Sequence, residues 1–367
     1  MRYSLVAEDR IDMRPAFSFL VLLASLLAGL VAMGAVFAAN GKDPVMGILR
    51  IFRSGFLSSY GIGETLSRSL PLILTGTGLA VAFRGRFWNI GAEGQILAGA
   101  VFTTWIGLSF ASLPGVVLIP LMLVAGMAGG AAWGLLAALL KVVFSVNETI
   151  STLMLNYVLA EFVRFLIVGP WKGKTQHGFP YTDDLSKNAS LATVPGTSIP
   201  YITVVLAILA VVLVYLLIYR TKFGYEIRVL GENSEAARYA GINAARVTIL
   251  IMLVSGGLAG LAGFSEVASK YKHMTYPETI SANYGFTAII VAWLARLDPR
   301  FVIFSAIFFA GILVGGDSIQ ISMGLPAATV QVFNGVILVF LIMSEFFTKN
   351  RLVLKRVGSG KEGSGHV

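Results

Sequence analysis

Arg84-Gly85-Arg86-Phe87-Trp88-Asn89-Ile90-Gly91-Ala92-Glu93-Gly94-Gln95 is a polar, glycine-containing stretch set between two short apolar runs, 69–83 and 95–110. Each run is shorter than the roughly 20 residues a helix needs to cross hydrocarbon. The glycines and small residues let backbone leave the helix there. Discontinuous helices near the midplane are how many transporters expose backbone dipoles and amides to a solute. The same stretch also reads as an ordinary turn whose Arg84 and Arg86 obey the positive-inside rule.

Working outward, the rest of the chain has the same character. Of 367 residues, 56% are apolar and 13% charged, about half the roughly 25% charge of a soluble domain. The 40 glycines suit close helix packing in lipid. Ten candidate spans emerge, at 16–39, 69–83, 95–110, 115–140, 149–168, 201–219, 247–264, 284–295, 301–315 and 327–347. The reading is an all-α, polytopic transmembrane bundle of about ten spans, give or take two. The second, third, eighth and ninth runs are short enough to be broken or re-entrant helices. The first run exceeds the apolar length of a signal peptide, so it reads as an uncleaved helix. With a cytoplasmic start, alternate sides of ten spans collect 18 and 10 of the 28 Lys and Arg, which puts both termini in the cytoplasm. The domain reading is a cytoplasmic segment at 1–15, a transmembrane domain at 16–347 and a cytoplasmic tail at 348–367 that ends in disorder. Segment 41–68 fits an amphipathic helix on the membrane surface. The long outer segment 169–199 reads either as a plain connection or as a contact for an extracytoplasmic partner.

Composition also excludes. With no Cys and with His177, His273 and His366 far apart, disulfides and thiol catalysis are ruled out and a metal cluster is not expected. The net charge of +9 follows from membrane topology, and no basic, aromatic-interleaved stripe points to nucleic acid. The chain carries no P-loop, no nucleophile elbow and no His-Glu-x-x-His pair, so it is not expected to be an enzyme.

Polar residues inside spans need a partner or a purpose. Asn89, Glu93 and Gln95 belong to the broken stretch. Ser145 or Asn147 can cap the fifth span, and Thr149, Thr152 and Asn156 recur at helical spacing as a polar stripe that either glues helices or lines a cavity. Glu161 and Arg164, three apart, read as a structural pair. Phe286, near the start of the eighth span, offers an aromatic face. Asp317 and Gln320 are expected in an outer turn. Glu64 and Glu266 stand as isolated carboxylates with no acid–base partner. On the cytoplasmic side, 220–246 contains Glu235, Ala236, Ala237 and Ala240, with Gly241 as a stop, and predicts a short surface helix.

Asn89-Ile-Gly-Ala-Glu-Gly-Gln95, Asn147-Glu-Thr-Ile-Ser-Thr-Leu-Met-Leu-Asn-Tyr157 and Glu235-Ala-Ala-Arg-Tyr-Ala-Gly-Ile242, in that order, resemble the permease subunits of bacterial ABC importers for nucleosides and simple sugars. These are relatives of the ribose and branched-chain amino acid permeases. The resemblance runs from about 69 to 347. It implies a multi-pass protein of the bacterial inner membrane, working by alternating access. It also implies a second and unlike permease chain, a cytoplasmic ABC ATPase with two fused nucleotide-binding halves, and an extracytoplasmic substrate-binding lipoprotein or protein. No cofactor is expected on this chain, ATP and Mg belonging to the ATPase. By the same resemblance, 233–242 is the coupling helix that meets the ATPase, with Asn233, Glu235, Ala236, Ala237, Tyr239 and Gly241 as its contact residues. Asn89, Glu93, Gln95, Asn147, Thr152 and Asn156 would lie along the solute pathway, with Phe286 and Trp293 stacking on a planar solute. The competing reading is an ion-coupled secondary transporter or channel in which Glu93, Glu148 or Glu161 binds a proton or cation.

Overall fold

The computed structural model describes residues 2–9, 15–176, 178–326, scattered positions from 328 to 348, and 350–357. Its elements are β1 (Arg2–Asp9), α1 (Pro15–Ala39), α2 (Pro44–Phe52), α3 (Ser59–Arg84), α4 (Ala92–Ser109), α5 (Gly115–Phe144), α6 (Glu148–Val168), α7 (Tyr201–Arg220), α8 (Lys222–Glu232), α9 (Ser234–Tyr239), α10 (Ala244–Ser265), α11 (Pro277–Ser281), α12 (Tyr284–Leu294), α13 (Pro299–Met323) and β2 (Asn350–Val357). Two π-helical turns, Arg53–Leu57 and Glu266–Tyr271, adjoin α2 and extend α10. Among the described residues, six helical segments are long and apolar enough to cross a membrane: Ser59–Arg84, Gly115–Phe144, Glu148–Val168, Tyr201–Arg220, Ala244–Tyr271 and Pro299–Gln320.

The chain forms two compact units, one of residues 1–50 with 316–367 and one of residues 51–315. In the first, β1 and β2 pair antiparallel with Arg2 opposite Val357 and Asp9 opposite Asn350. This ribbon is a departure from the all-α expectation. The expected tenth span at 327–347 lies largely outside the described residues, as does the tail at 358–367.

The second unit is built around α3, α4 and α10. Helix α4 is apolar on all sides and buried on all sides for most of its length, as a helix at the centre of a bundle must be. Around this centre stand α5, α6 and α7, each with much of its surface outward. Glycine makes the central approach possible. A Cβ on Gly130 would sit 2.2 Å from the Gly256 carbonyl oxygen, one on Gly260 2.2 Å from that of Gly126, and one on Gly99 2.3 Å from that of Gly260. Helices α4, α5 and α10 therefore meet backbone to backbone, which is how transmembrane helices gain packing energy when lipid gives no hydrophobic drive.

Helix starts follow their caps. The Asn147 side chain accepts from the amides of Thr149 and Ile150 at 3.0 and 3.2 Å. Ser58, Thr221, Asn233 and Asn243 do the same for α3, α8, α9 and α10. Three expectations change in detail. Segment 41–68 is amphipathic only through α2. From Ser59 onward it is the first part of α3, so that span starts ten residues before its apolar run. The eighth span is α12, whose 11 residues cover about 16 Å, half the hydrocarbon thickness. Asp317 and Gln320 lie within α13 and not in a turn, because Gly315 and Gly316 are carried through by the flanking apolar residues.

The segment 169–199, apart from His177, packs along the end of α10. Leu191 N–H donates to the Ala268 carbonyl at 2.8 Å, Leu185 N–H to that of Lys272 at 2.7 Å, and Thr182 N–H to that of Met274 at 3.0 Å. The paired Glu161 and Arg164 stand where expected, and Arg164 also holds Glu278. At the opposite end, Arg84 donates to the Leu297 carbonyl at 3.0 Å and to Tyr219 Oη at 2.7 Å. Tyr219 in turn donates to Asp298 at 3.2 Å. The Arg300 guanidinium, 2.8 Å away, holds the Asp298 carboxyl below the ordinary carboxylate range. The stabilisation from a lowered carboxyl pKa is present at neutral pH and is lost as pH falls through the lowered value. Asp298→Asn is thus expected to flatten the acid limb of a melting-temperature-against-pH profile, and an unchanged limb would show that Asp298 does not contribute.

Candidate functional site

The break between α3 and α4 is the most polar part of the buried bundle. Arg86 adopts a left-handed φ of 56°, and the chain then turns back so that Asn89 enters the interior, 0% exposed. Asn89 and Gln95 exchange amide hydrogen bonds at 3.0 and 3.1 Å. Asn89 also donates to Ser255 on α10 at 3.1 Å and accepts from Gly91 N–H at 3.0 Å. From α6, Thr152 accepts the Ile90 amide at 3.2 Å, while Asn156 accepts that of Gly94 at 2.8 Å and donates to the Ile90 carbonyl at 2.9 Å. From the other side, the N-terminus of the half-span α12 brings Gly285 N–H to the Glu93 carboxylate at 2.7 Å. Ser281 and the amides of Asn283 and Phe286 also face that carboxylate. Gly94 and Gly285 admit this approach. A Cβ on Gly94 would lie 2.9 Å from Asn156 Oδ1, and one on Gly285 2.3 Å from the Glu93 nitrogen.

Five residues picked from the sequence therefore converge. Asn89, Glu93, Gln95, Thr152 and Asn156 form one hydrogen-bonded network that ties the start of α4 to α6, α10 and α12. The physical reason is the break itself: the amides that leave the helix need acceptors, and the polar stripe of α6 supplies them. Near the network, the Trp133 indole nitrogen is buried without a partner. Three residues stand apart. Asn147 is exposed at the start of α6, where Glu148 pairs with Lys141 at 2.5 Å. Phe286 meets the network only through its backbone amide, which faces Glu93. Trp293 stacks at the far end of α12 with Phe83 and Trp88, at centroid distances of 5.5 and 5.6 Å, and Trp88 is half exposed.

The residues expected at the ATPase contact sit on a small, well-formed element. Asn233 caps α9 through the amides of Glu235 and Ala236 at 2.9 and 3.1 Å. Ala237 is buried, Tyr239 is 83% exposed, and Gly241 takes a positive φ of 73° where the helix stops. The preceding helix α8 lies against the end of α3, for a Cβ on Gly231 would meet the Arg84 carbonyl oxygen at 1.8 Å.

A second polar group escaped sequence reading. Glu64 is not isolated: Arg68 donates to it at 2.8 Å and Lys270 stands 3.6 Å away. Glu266, 4% exposed, lies within electrostatic reach of Lys270, Arg68 and Glu64. The signal was there as two i,i+4 acid–base pairs, Glu64 with Arg68 and Glu266 with Lys270. What the sequence lacked was the fold that brings them together. Among the described residues, no group of three or more His, Cys, Asp or Glu stands ready for a metal ion.

Residues 61–342 match the family described as the branched-chain amino acid transport system / permease component. The chain is 36% identical over 338 residues to the glucose ABC transporter permease protein TsgB13 of Haloferax volcanii, covering 89% of this chain and 88% of that one. It is 33% identical to the nucleoside ABC transporter permease protein NupB of Lactococcus lactis, over 88% of this chain and 90% of the relative. With the guanosine ABC transporter permease protein NupP of Bacillus subtilis it shares 30% identity, over 89% and 93% of the two chains.

Proposed function

The chain belongs to the permease family of the branched-chain amino acid transport system and to its ABC transporter permeases, and from that premise we propose that it carries nucleosides, or related simple sugars, into the cytoplasm. The observation that supports this best is the likeness to permeases of nucleoside and glucose transporters along nearly the whole length. The setting is the bacterial cytoplasmic membrane, with both termini inside and about ten crossings. The partners are a second, unlike permease, an ABC ATPase with two fused nucleotide-binding halves, and an extracytoplasmic binding protein or lipoprotein. ATP and Mg act on the ATPase, and this chain binds neither.

Transport proceeds by alternating access: nucleotide-driven closure of the ATPase moves α9, and the two permeases shift between outward-open and inward-open states. Asn89, Glu93, Gln95, Thr152 and Asn156 are the solute-facing groups. Asn89 and Gln95 now bond each other, and Glu93, Thr152 and Asn156 bond backbone groups of α12 and of the break, so a solute hydroxyl or base edge reaches them only by exchanging with those bonds as α12 withdraws from α4. Asn147 stands at the rim, and Phe286 and Trp293 offer aromatic faces.

Purification of the tagged chain in mild detergent is expected to recover the ATPase and second permease, and proteoliposomes of the complex to take up nucleoside only with ATP and binding protein. Recovery of the chain alone, with uptake that follows an ion gradient and ignores ATP, would establish the ion-coupled carrier instead. In the same complex Tyr239→Ala is expected to weaken ATPase docking by about 2 kcal/mol, roughly thirtyfold in affinity. Uptake and ATP hydrolysis would fall together. Unchanged ATPase recovery in a pull-down would remove α9 from the contact.

A further inference from the structure

We infer that Glu266, together with Glu64, Arg68 and Lys270, forms a subsite at the 169–199 end of the bundle that receives the hydroxyl groups of an uncharged polyhydroxylated solute. This rests on the transport reading above and adds a second station to it, at the other end of α4 and α10 from Asn89. The first observation is an unpartnered atom. Glu266 Oε2 is buried with no donor in a residue only 4% exposed, and a buried carboxylate oxygen of this kind needs a donor from outside the chain's own set. The second is local backbone. Glu266 opens the π turn Glu266–Tyr271 at the end of α10, and π turns that interrupt a helix are frequent at functional sites.

The surrounding charges choose the ligand. Two acids face two bases, Glu64 being held by Arg68 at 2.8 Å and approached by Lys270 at 3.6 Å. A hydroxyl brings no further charge into this low-dielectric setting, where an added ion is costly to desolvate. It also gives the buried Glu266 Oε2 the hydrogen-bond partner it lacks. The cluster is also reachable, since the Arg68 and Lys270 side chains are 22% and 25% exposed. The Tyr271 ring, 5.6 Å from the Lys270 ammonium, adds a flat face for a sugar ring.

The test uses the assembled complex in proteoliposomes at saturating binding protein, comparing a ribonucleoside with its 2′,3′-dideoxy analogue. Glu266→Ala is expected to lower ribonucleoside uptake about tenfold while leaving dideoxynucleoside uptake and ATP hydrolysis as in the wild type. Glu266→Gln, which keeps the shape and one acceptor, is expected to fall between. An equal loss for both solutes, or no loss for either, overturns the subsite while leaving the importer intact. A wild-type complex that moves neither nucleoside nor sugar overturns the transport reading, and this one with it. If Glu266→Ala fails to assemble, Glu266→Gln carries the comparison alone, with the same criteria.

Discussion

Gly260→Val is expected to leave no stable bundle. The new Cβ would lie 2.2 Å from the Gly126 carbonyl oxygen and 3.0 Å from the Gly130 Cα. Both are backbone atoms, so no rotamer change relieves the contact. Helix α10 has to retreat from α5, and it loses α4 at the same time because Gly99 packs against the backbone of Gly260 itself. Overpacking a core side chain costs about 1–3 kcal/mol. Here two helix crossings open together, and a loss above about 4 kcal/mol is expected. Thermal unfolding in detergent, followed by size exclusion, reads it directly: a monodisperse peak with the wild-type midpoint would show that the helices do not meet backbone to backbone. Gly63→Ala is the control. Its Cβ would meet Thr197 Cγ2 at 3.5 Å and Thr197 Cβ at 3.7 Å, ordinary contacts, so its effect should stay within about 0.5 kcal/mol.

Asn156→Leu is expected to be nearly as damaging, by a different route. The substitution keeps the volume and removes both the acceptor of Gly94 N–H and the donor to the Ile90 carbonyl. Two backbone groups then lie buried without partners at the break that starts α4. At about 1–3 kcal/mol for each, the expected loss is roughly 3 kcal/mol. Uptake by the assembled complex should fall at least about tenfold, whatever solute it carries. Asn156→Asp retains the Gly94 acceptor and loses only the donor, so it should recover most of the stability. If Leu and Asp behave alike and both keep wild-type melting, the α6 stripe does not hold the break. Stability retained with uptake lost would instead place Asn156 in direct contact with solute, as the transport reading expects.

How much of this was readable beforehand depends on range. The apolar runs gave most helices to within a few residues, because burial in lipid demands unbroken hydrophobicity. The break at 84–95 was visible as well, since its glycines and amides are the residues an interrupted helix requires. The first ten residues of α3 were hidden, for Glu64 and Arg68 look like surface charge until Lys270 is placed beside them. Gly315 and Gly316 looked like a turn, and a long apolar helix runs through them. The closeness of Glu93 to Gly285 spans 192 positions and no local pattern encodes it. The β1–β2 ribbon joins still more distant segments, neither of which alternates strongly enough to announce a strand.

That ribbon fixes a parity. A hydrogen-bonded ladder of eight residue pairs, Arg2 with Val357 through Asp9 with Asn350, cannot have a bilayer between its strands. The chain leaving Asp9 is therefore expected to return to the same aqueous compartment before Asn350, with an even number of membrane crossings between. Because the sequence holds no Cys, a single one introduced at Ser4 or at Leu352 is the only thiol of this chain for a membrane-impermeant maleimide. The two variants must then react from the same side in sealed vesicles.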